Sequence, residues 1–242
     1  MTAKEPHISV VLPAHNEAEL LEASVRDLVK AMRDRGDTFE IIVVENGSTD
    51  ETAQLGRRID TETAEVRFVQ LPRADYGAAV AKGFAEANGQ IVVHFDVDYI
   101  DAGFLEEGVA LIESGTAGIV LASKRAPGAV DRRPLVRRML TAGFTFAMRK
   151  LLTMPVSDAH GMKVLSRPAC AASARACQMT GSLYDVELVL RASRAGVKVV
   201  ELPAEVRELR PPRTPVWERS IESATGLVRL RLLLWRERSL RS

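Results

Sequence analysis

The first hundred residues alternate between short apolar runs and longer segments whose apolar residues recur every three or four positions. Residues 8–12 form an apolar run that ends at Pro13, and the segment opened by Asn16 places apolar side chains at helical spacing from Leu20 to Met32. Further strands are predicted over 39–44, 66–71 and 91–95, with helices that begin around 48–50 and span about 77–88. The pattern is therefore strand followed by helix, repeated through this half of the chain.

This alternation predicts an α/β fold. Strands that are apolar along their whole length, each followed by a helix, are typical of a mainly parallel central sheet flanked by helices on both faces. At 242 residues and 46% hydrophobic composition, the chain is long enough to form one large domain. Ligands of such sheets gather at the carboxyl ends of the strands, so the residues that follow each apolar run are candidates for function.

Charge and composition exclude several classes of protein. The 33 Lys and Arg residues nearly balance the 32 Asp and Glu residues, so no overall basic charge favours a nucleic-acid partner. Cys170 and Cys177 are the only cysteines, and the opening MTAKEPH lacks the apolar core of a signal peptide, so we expect a reduced, cytoplasmic protein. No apolar run approaches the roughly 18 residues of a membrane-spanning helix, so any contact with lipid is expected to be peripheral.

The stretch HFDVDYID places three carboxylates, Asp96, Asp98 and Asp101, directly after the apolar run 91–93. One interpretation is a polar turn, and the other is a site for a hard cation that carries phosphate. If the backbone stays extended, residues at alternate positions project to the same side, so Asp96 and Asp98 would face one ligand. Such a pair suits Mg²⁺ or Mn²⁺ shared with a substrate phosphate. The D-x-D pattern alone leaves both interpretations open.

Several stretches, in order along the chain, resemble a known family. SVVLPAHNEAELL, VVENGSTDET and HFDVD are similar to three successive motifs of family 2 glycosyltransferases, V-x-I-P-x-Y-N-E-x-x-x-L, V-D-D-G-S-T-D-x-T and D-x-D. In the second half, SKRAPG, RRPLVRRML, MPVSDAHGMKVLSR and YDVELVLRASRAGVKVVELP resemble dolichol- and polyprenyl-phosphate mannose synthases in order and spacing. The resemblance covers roughly residues 8–210.

The resemblance implies a fold and a division of the chain. Residues 1–210 are expected to form a single nucleotide-sugar-binding domain of the glycosyltransferase A-type, which is Rossmann-like. Its nucleotide-binding half would lie at about 1–100 and its acceptor half at about 101–210. A basic helical tail would follow over 211–242.

The resemblance also implies a role for particular residues. Asp96 and Asp98 would hold Mg²⁺ or Mn²⁺ and the donor diphosphate, and Asp98, Arg125 and Asp158 would be catalytic. The nucleotide-sugar pocket would contain Pro13, Ala14, Asn16, Glu17, Glu45, Asn46, Asp96 and Val97. The acceptor or its phosphate would contact Arg137, Arg138, Lys163, Arg167 and Glu187. Arginine suits this task because its planar fork pairs with two phosphate oxygens at once.

Some of these positions have ordinary structural interpretations or depart from the family pattern. Asn16 and Glu17 are also typical of the first residues of a helix. Glu187 could equally be an acidic residue on the exposed face of a helix. Glu45 and Asn46 stand where the family usually has paired aspartates, which leaves the nucleobase open.

The implied reaction is a metal-assisted, inverting displacement that moves a hexose from a nucleoside-diphosphate sugar to a polyprenyl phosphate. Mannose from GDP-mannose is favoured, with UDP-glucose as the alternative donor. Because the acceptor phosphate is already ionised at neutral pH, no strong general base is needed. Two other functions stay open, namely a family 2 enzyme with a soluble small-molecule acceptor and a non-catalytic nucleotide-sugar-binding protein.

Two basic and apolar segments favour a lipid acceptor. Residues 132–150 contain six Lys or Arg and no acid, interleaved with apolar side chains. The tail from Gly226 contains five Arg against the single acid Glu237. Such segments are typical of peripheral contact with an anionic membrane, which would place the protein in the cytoplasm or at the inner face of the membrane. The alternative for residues 132–150 is a helix packed on the core with its cations in water.

Overall fold

The computed structural model describes the backbone of residues 5–206 and 216–239, and the side chains of residues 5–205 and 224–237. The domain boundary predicted at residue 210 and the last residues of the predicted tail lie outside the described residues.

The first half of the chain folds in the predicted alternation of strand and helix. Its elements are β1 (Ile8–Ala14), α1 (Leu21–Arg35), β2 (Phe39–Asn46), α2 (Thr52–Glu62), β3 (Val66–Leu71), α3 (Tyr76–Glu86) and β4 (Ile91–His94). One difference concerns Pro13, which was expected to end the first strand and instead lies inside β1. β4 pairs only with residues 8–11 of β1, so Pro13 lies where that side of β1 has no ladder partner.

The second half adds more helices and shorter strands. Its elements are α4 (Ala102–Glu113), β5 (Ile119–Ser123), β6 (Val130–Asp131), α5 (Leu135–Leu152), β7 (Lys163–Ser166), α6 (Arg167–Ala176), α7 (Leu183–Arg194), β8 (Val199–Pro203), β9 (Glu205–Val206) and α8 (Val216–Ser239). The short strands β6 and β9 pair with each other, apart from the main sheet. The basic segment predicted over 132–150 is thus mostly the helix α5.

Seven strands form one mostly parallel sheet in the order β3-β2-β1-β4-β7-β5-β8. β7 runs antiparallel to both of its neighbours, β4 and β5, and the other neighbouring pairs are parallel. Successive residues of one strand, such as Val10 and Val11, belong to separate apolar cores on opposite faces of the sheet. The predicted α/β domain, with a mainly parallel sheet flanked by helices, is therefore confirmed.

The order of the strands locates the point where ligands bind. β1 and β4 are neighbours, yet the chain leaves β1 for β2 and β3 on one side before it crosses to β4 on the other. Such a reversal creates a crevice outside the carboxyl ends of the two strands, which is where open α/β sheets bind ligands. The loops that follow β1 and β4 flank this crevice.

The last helix, α8, packs against α5 and α7. Leu227, Leu230 and Leu234 are buried on one stripe at the spacing of three and four residues expected of an amphipathic helix. Among the helices of residues 5–206 and 216–239, none has the length and apolar character needed to cross a membrane.

Candidate active site

Hydrogen bonds join the loop after β1 to the loop after β2. Asn16 has a left-handed backbone conformation, with φ 55°, and its side-chain oxygen accepts a hydrogen bond from Thr49 N–H at 2.8 Å. Glu17 N–H donates to Thr52 Oγ1 at 2.8 Å. Helix α1 begins only at Leu21, so the interpretation of Asn16 and Glu17 as the start of that helix is wrong. The two residues instead connect the loops beside the crevice.

Glu45 and Asn46, at the end of β2, have different surroundings. Asn46 braces the fold, because its Nδ2 donates to Ala14 O at 3.0 Å and its Oδ1 accepts from Asp75 N–H at 3.2 Å. Glu45 is fully buried, and one of its oxygens accepts from Ser48 N–H. Its other oxygen, Oε2, has no hydrogen-bond partner in the described part of the chain. A buried acceptor without a partner costs about 1–3 kcal/mol, which a ligand N–H would offset.

Close backbone packing surrounds these loops. Pro13 and Ala14, which were predicted to line the nucleotide pocket, are buried at the carboxyl end of β1. Gly47 has φ 66°, and a Cβ at this position would lie 2.6 Å from the backbone nitrogen of Ala74. Only glycine combines this backbone conformation with this approach. The glycine of the VVENGSTDET stretch is thus explained by local geometry.

The chain turns immediately after β4. Tyr99 N–H donates to Asp96 O at 3.0 Å, which makes residues 97–98 a turn. The backbone therefore does not stay extended, and the expectation that alternation alone aligns Asp96 with Asp98 is wrong. Asp96 is partly buried in this turn, whereas Asp98 is exposed.

The neighbours of this turn hold it on both sides. Val97 is buried, and its carbonyl oxygen accepts a hydrogen bond from Ser24 Oγ of α1 at 2.7 Å. Asp101 is the N-cap of α4, where its carboxylate accepts from Phe104 N–H at 3.0 Å. Asp101 therefore has a structural role at the start of α4. Asp96 and Asp98 lie in the turn at the carboxyl end of β4 and remain candidates for the cation site.

The surroundings of Asp96 suit a cation. Desolvation raises the pKa of Asp96 to about 6; the positive charge of Lys163 opposes the rise, and the negative charges of Asp98 and Asp185 add to it. Asp96 and Asp98 are therefore close enough to repel each other, and a divalent cation shared between them would relieve the repulsion. The described residues contain no cluster of three or more His, Cys, Asp or Glu side chains arranged to hold a metal. Diphosphate and water oxygens would supply the other ligands, as Mg²⁺ prefers.

A buried ion pair lies close to Asp96. Lys163 and Asp185 are both fully buried, with Lys163 Nζ 3.0 Å from Asp185 Oδ2. The ammonium group also contacts Gly161 O at 2.7 Å and His94 Nδ1 at 2.9 Å. The ammonium group is thus surrounded by two hydrogen-bond acceptors and one counter-ion, and none of its surface is exposed. The structure therefore does not present Lys163 to an acceptor phosphate, which corrects its predicted role.

A basic pocket opens after β5. It is lined by Lys124, Arg125, Ala126, Ala129, Asp131, Arg138 and Thr141. Arg125 and Arg138, both predicted to meet anionic oxygens, come together here, while Arg137 is not among the lining residues. The pocket thus combines three cations with one acid, a composition that suits an anionic group.

Lys124 connects this pocket with the turn after β4. Its Nζ lies 3.5 Å from Asp158 Oδ2, and its positive charge lowers the pKa of Asp96. Asp158 is buried, and its N–H donates to Glu201 Oε1 at 3.1 Å, which fixes the loop before β7. Of the predicted catalytic residues, Arg125 and Asp158 thus lie beside Lys124, and Asp98 belongs to the turn that contains Asp96.

Arg167 lies at the opposite edge. β7 runs antiparallel to β4, so that Ser166 pairs with Ile91 at the amino end of β4. The guanidinium of Arg167 donates to Gly89 O at 2.6 Å, in the turn before β4. Its predicted contact with the acceptor phosphate is corrected, because the length of β4 separates it from the crevice at the carboxyl ends of the strands.

Glu187 has a structural setting. It is fully buried and accepts hydrogen bonds from Gln178 N–H at 2.7 Å and Met179 N–H at 2.6 Å. Arg191 donates to Glu187 at 2.7 Å and also to Glu237 of α8. Neither predicted setting, an exposed helix acid or an acceptor-side carboxylate, is found. Glu187 instead ties α7 to the preceding loop and to α8.

Sequence reasoning missed three residues near Asp96. Asp185, in the stretch YDVELVLR, is the counter-ion of Lys163. His94 and Tyr76 are in contact, with 3.2 Å between His94 Nε2 and the tyrosine hydroxyl. In the sequence, Asp185 and His94 each stand among apolar residues. A polar residue in such a stretch indicates a buried polar network but does not identify the other members of that network.

The fold and these loops together are typical of a class of protein, the glycosyltransferases with an A-type domain. The sequence model of glycosyl transferase family 2 matches residues 9–172, which is more than half of the chain. The chain therefore belongs to glycosyl transferase family 2, as the resemblance predicted.

Similar proteins include two named glycosyltransferases. Glycosyltransferase AglD of Haloferax volcanii is 32% identical over 233 residues, which cover 94% of this chain and 36% of that protein. The chain thus spans about a third of the length of this relative. A dolichyl-phosphate beta-glucosyltransferase of Saccharomyces cerevisiae is 25% identical over 251 residues, with coverage of 95% and 75%.

Solved structures with a similar fold include glucosyl-3-phosphoglycerate synthase of Mycobacterium tuberculosis. One crystal structure has a TM-score of 0.68 and 26% identity, and the match covers 93% of this chain and 80% of that one. Another, in complex with Mn²⁺, UDP and phosphoglyceric acid, has a TM-score of 0.69 and 25% identity, with coverage of 93% and 78%.

Proposed function

We propose that the chain transfers a hexose from a nucleoside-diphosphate sugar to a polyprenyl phosphate at the inner face of a membrane. The donor would bind in the crevice between β1 and β4, and the acceptor phosphate in the basic pocket after β5. Lys124 lies between the two, since it pairs with Asp158 and acts on Asp96. This arrangement would allow an in-line, inverting attack of an acceptor oxygen on the anomeric carbon.

On the donor side, Asp96 and Asp98 would hold Mg²⁺ or Mn²⁺. When bound, the cation neutralises the negative charge that develops on the leaving nucleoside diphosphate. The mutual repulsion of the two carboxylates supports this role. Glu45, Asn16 and Glu17 would shape the nucleoside pocket, where Glu45 Oε2 is the unpaired acceptor within the described residues.

On the acceptor side, Arg125 and Arg138 would bind the acceptor phosphate, and Lys124 would share its charge with Asp158. An ionised phosphate oxygen is already nucleophilic, so these residues need only orient it and screen its repulsion from the donor diphosphate. Asp158 would act by positioning Lys124. No side chain has to accept a proton in this step.

For the donor, we favour UDP-glucose over the GDP-mannose expected from sequence. Two similar proteins whose names state a sugar, the yeast dolichyl-phosphate beta-glucosyltransferase and the mycobacterial glucosyl-3-phosphoglycerate synthase, are named for glucose. One structure of the latter contains UDP.

The observation that carries the lipid acceptor is the distribution of exposed apolar side chains. Ten large hydrophobic side chains are exposed among the described residues, and nine of them lie on α5 and α8. Val136, Met139 and Phe146 form a stripe on α5, 64–67% exposed. Val228, Leu232 and Trp235 form a second stripe on α8, 51–62% exposed. Isolated exposed apolar residues are ordinary, but two stripes on adjoining helices are typical of an interaction surface.

Basic residues accompany these stripes. Arg149 and Lys150 are exposed at the end of α5, and the Lys150 ammonium lies 5.9 Å from the centre of the Phe146 ring. Arg229 and Arg231 are exposed on α8. An apolar surface with basic neighbours suits the headgroup region of an anionic membrane. Arg138 of the basic pocket is on α5 as well, so the same helix would approach the lipid and its phosphate.

A transfer assay with matched donors and acceptors tests this function. Labelled UDP-glucose and labelled GDP-mannose would each be offered with polyprenyl phosphate in anionic vesicles, with Mn²⁺ or with a chelator. We expect lipid-extractable label from UDP-glucose only when the cation is present. Label from GDP-mannose alone would overturn the donor, and no lipid-linked label from either donor would overturn the acceptor.

A soluble acceptor is the second candidate, because structures of glucosyl-3-phosphoglycerate synthase match 93% of this chain. The same assay with phosphoglyceric acid in place of lipid distinguishes the two. Water-soluble labelled product without lipid product would establish this alternative and leave the apolar surface of α5 and α8 unrelated to the reaction.

A further inference from the structure

A chain of hydrogen bonds begins at the basic pocket and ends at a carboxylate on β8. Ser123 Oγ, at the end of β5, accepts from the N–H groups of Arg125 at 3.2 Å and Ala126 at 3.1 Å. Ser123 Oγ also lies 2.9 Å from Ser157 Oγ, which donates to Glu201 Oε1 at 2.6 Å. Both serines are buried. The turn that carries Arg125 into the pocket is therefore joined to Glu201 through two hydroxyl groups.

The direction of these hydrogen bonds is set at the carboxylate end. A carboxylate accepts and does not donate, so the proton of the Ser157 hydroxyl is directed to Glu201. The Ser123 hydroxyl then donates to Ser157 Oγ, and its two lone pairs accept from the N–H groups of residues 125 and 126. A serine oxygen that accepts from backbone N–H groups shortly after it in the chain stabilises a turn. Every bond of the chain is thus donated toward Glu201 and supports the turn at residues 123–126.

Glu201 also holds the loop before β7. Its carboxylate accepts from Ser157 N–H at 3.0 Å and from Asp158 N–H at 3.1 Å. Asp158 in turn lies 3.5 Å from Lys124 Nζ of the pocket. The position of the acid that pairs with Lys124 therefore depends on the same carboxylate that supports the turn after β5.

Helix α5 is joined to this network as well. Thr145 Oγ1 donates to Ser157 O at 3.0 Å, and Thr145 is buried. Arg138 and Thr141 of the same helix line the basic pocket. Ser157 thus connects three segments that meet at the pocket, namely the turn after β5, the loop before β7 and α5.

We propose that Ser123, Ser157 and Glu201 are positioning residues, which hold Lys124 and Arg125 in the arrangement that binds a phosphate monoester. This inference rests on the proposed function, since it takes the basic pocket as the acceptor site. None of the three is among the residues described as lining the pocket, so they act through those that do. Binding groups have to be held within about 0.5 Å of the productive geometry by the hydrogen bonds behind them, and this network supplies such support.

Titration with two phosphate monoesters tests the proposal without a transfer step. Farnesyl phosphate and phosphoglyceric acid would be titrated separately into the protein by calorimetry, with and without UDP and Mn²⁺. We expect Ser123→Ala to weaken binding of the phosphate about tenfold, the order of one lost hydrogen bond. The affinity for UDP with Mn²⁺ should stay unchanged, because the donor crevice lies at the ends of β1 and β4.

Ser9→Ala is the matched control for a loss of stability. Ser9 Oγ is also buried, donates to a carboxylate, Glu40 Oε1, at 2.7 Å and accepts from Gly89 N–H at 2.8 Å. Ser9 lies near the amino end of β1, away from the pocket. Ser9→Ala should therefore lower the midpoint of thermal unfolding as Ser123→Ala does and leave phosphate binding unchanged. Equal weakening of phosphate binding by the two variants would overturn the proposal.

A second variant breaks the chain one step further from the pocket. Ser157→Ala should also weaken phosphate binding, and the double variant with Ser123→Ala should weaken it by less than the product of the two single effects, because the two hydroxyl groups belong to one chain. Single effects that multiply in full would contradict the chain. If Ser123→Ala does not fold, Ser157→Ala measured alone carries the test, with Ser9→Ala as its control.

The outcomes separate this inference from the function on which it rests. If only phosphoglyceric acid binds, the lipid acceptor is overturned, and the inference is then tested with phosphoglyceric acid, because both probes present a phosphate monoester. Failure of the unaltered protein to bind either probe overturns the acceptor site and the inference together. Binding that is lost in Arg125→Ala but unchanged in Ser123→Ala and Ser157→Ala overturns the inference alone.

Discussion

Glu40 and Glu45 lie on the same strand, β2, and both are buried, but their side chains have different partners. Glu40 accepts hydrogen bonds from Ser9 Oγ at 2.7 Å, Asn88 N–H at 2.8 Å and Arg67 at 2.9 Å. Glu45 Oε2 has no hydrogen-bond partner among the residues described. A buried carboxylate with both oxygens bonded stabilises the fold, whereas a buried oxygen without a partner at the ligand edge gains a hydrogen bond only when a ligand donates to it.

Replacing each acid by its amide separates these roles. Glu45→Gln is expected to weaken UDP binding about tenfold and to leave the midpoint of thermal unfolding unchanged or higher, because the lost oxygen has no partner within the protein. Glu40→Gln, the matched control, should leave UDP binding unchanged and lower the free energy of unfolding by about 1–3 kcal/mol. Calorimetry with UDP and thermal denaturation measure both. Unaltered UDP affinity in Glu45→Gln would remove Glu45 from the nucleoside pocket.

At the scale of elements, the antiparallel strand β7 explains why some site residues were predicted and others were not. Asp158 and Lys163 precede or begin β7, beside His94 at the carboxyl end of β4. β7 runs from the carboxyl end of β4 to its amino end, so Arg167 lies at the end of the sheet opposite the crevice. A motif read along the sequence carries no information on this reversal, because it depends on pairing with strands distant in the chain.

The exposed apolar stripe on α5 is predicted to bind the membrane. Replacing Val136, Met139 and Phe146 by Ser removes the apolar stripe of α5, and binding to anionic vesicles should fall at least tenfold, because each buried side chain contributes about 1.5–3 kcal/mol. Val136→Ile with Met139→Leu and Phe146→Leu keeps the apolar area and serves as the control. Cosedimentation at low salt measures the binding. If the serine variant binds vesicles as well as the control does, the stripe is not a membrane surface.

At the scale of the whole molecule, sequence reasoning succeeded where local pattern decides and failed where distant partners decide. The apolar runs and helical periods of the first half predicted β1 to β4 and their helices, since burial on both faces of a parallel sheet leaves a strong pattern. The ion pair of Lys163 with Asp185 and the Glu187 network were not predicted, because their partners lie on separate elements. The order of the motifs along the chain was enough to predict the family. The setting of individual residues, such as Lys163 and Glu187, could be described only from their contacts in the structure.

The central claim is that the carboxylates of Asp96 and Asp98 hold the cation that allows transfer. The most direct measurement compares Asp98→Ala with Asp101→Ala in the transfer of labelled glucose from UDP-glucose to polyprenyl phosphate with Mn²⁺. Asp101 belongs to the same stretch but caps α4, so its loss should lower stability by about 1 kcal/mol and leave transfer near the unaltered rate. We expect Asp98→Ala to lose at least a hundredfold in rate. Transfer by Asp98→Ala at the rate of Asp101→Ala would contradict the account.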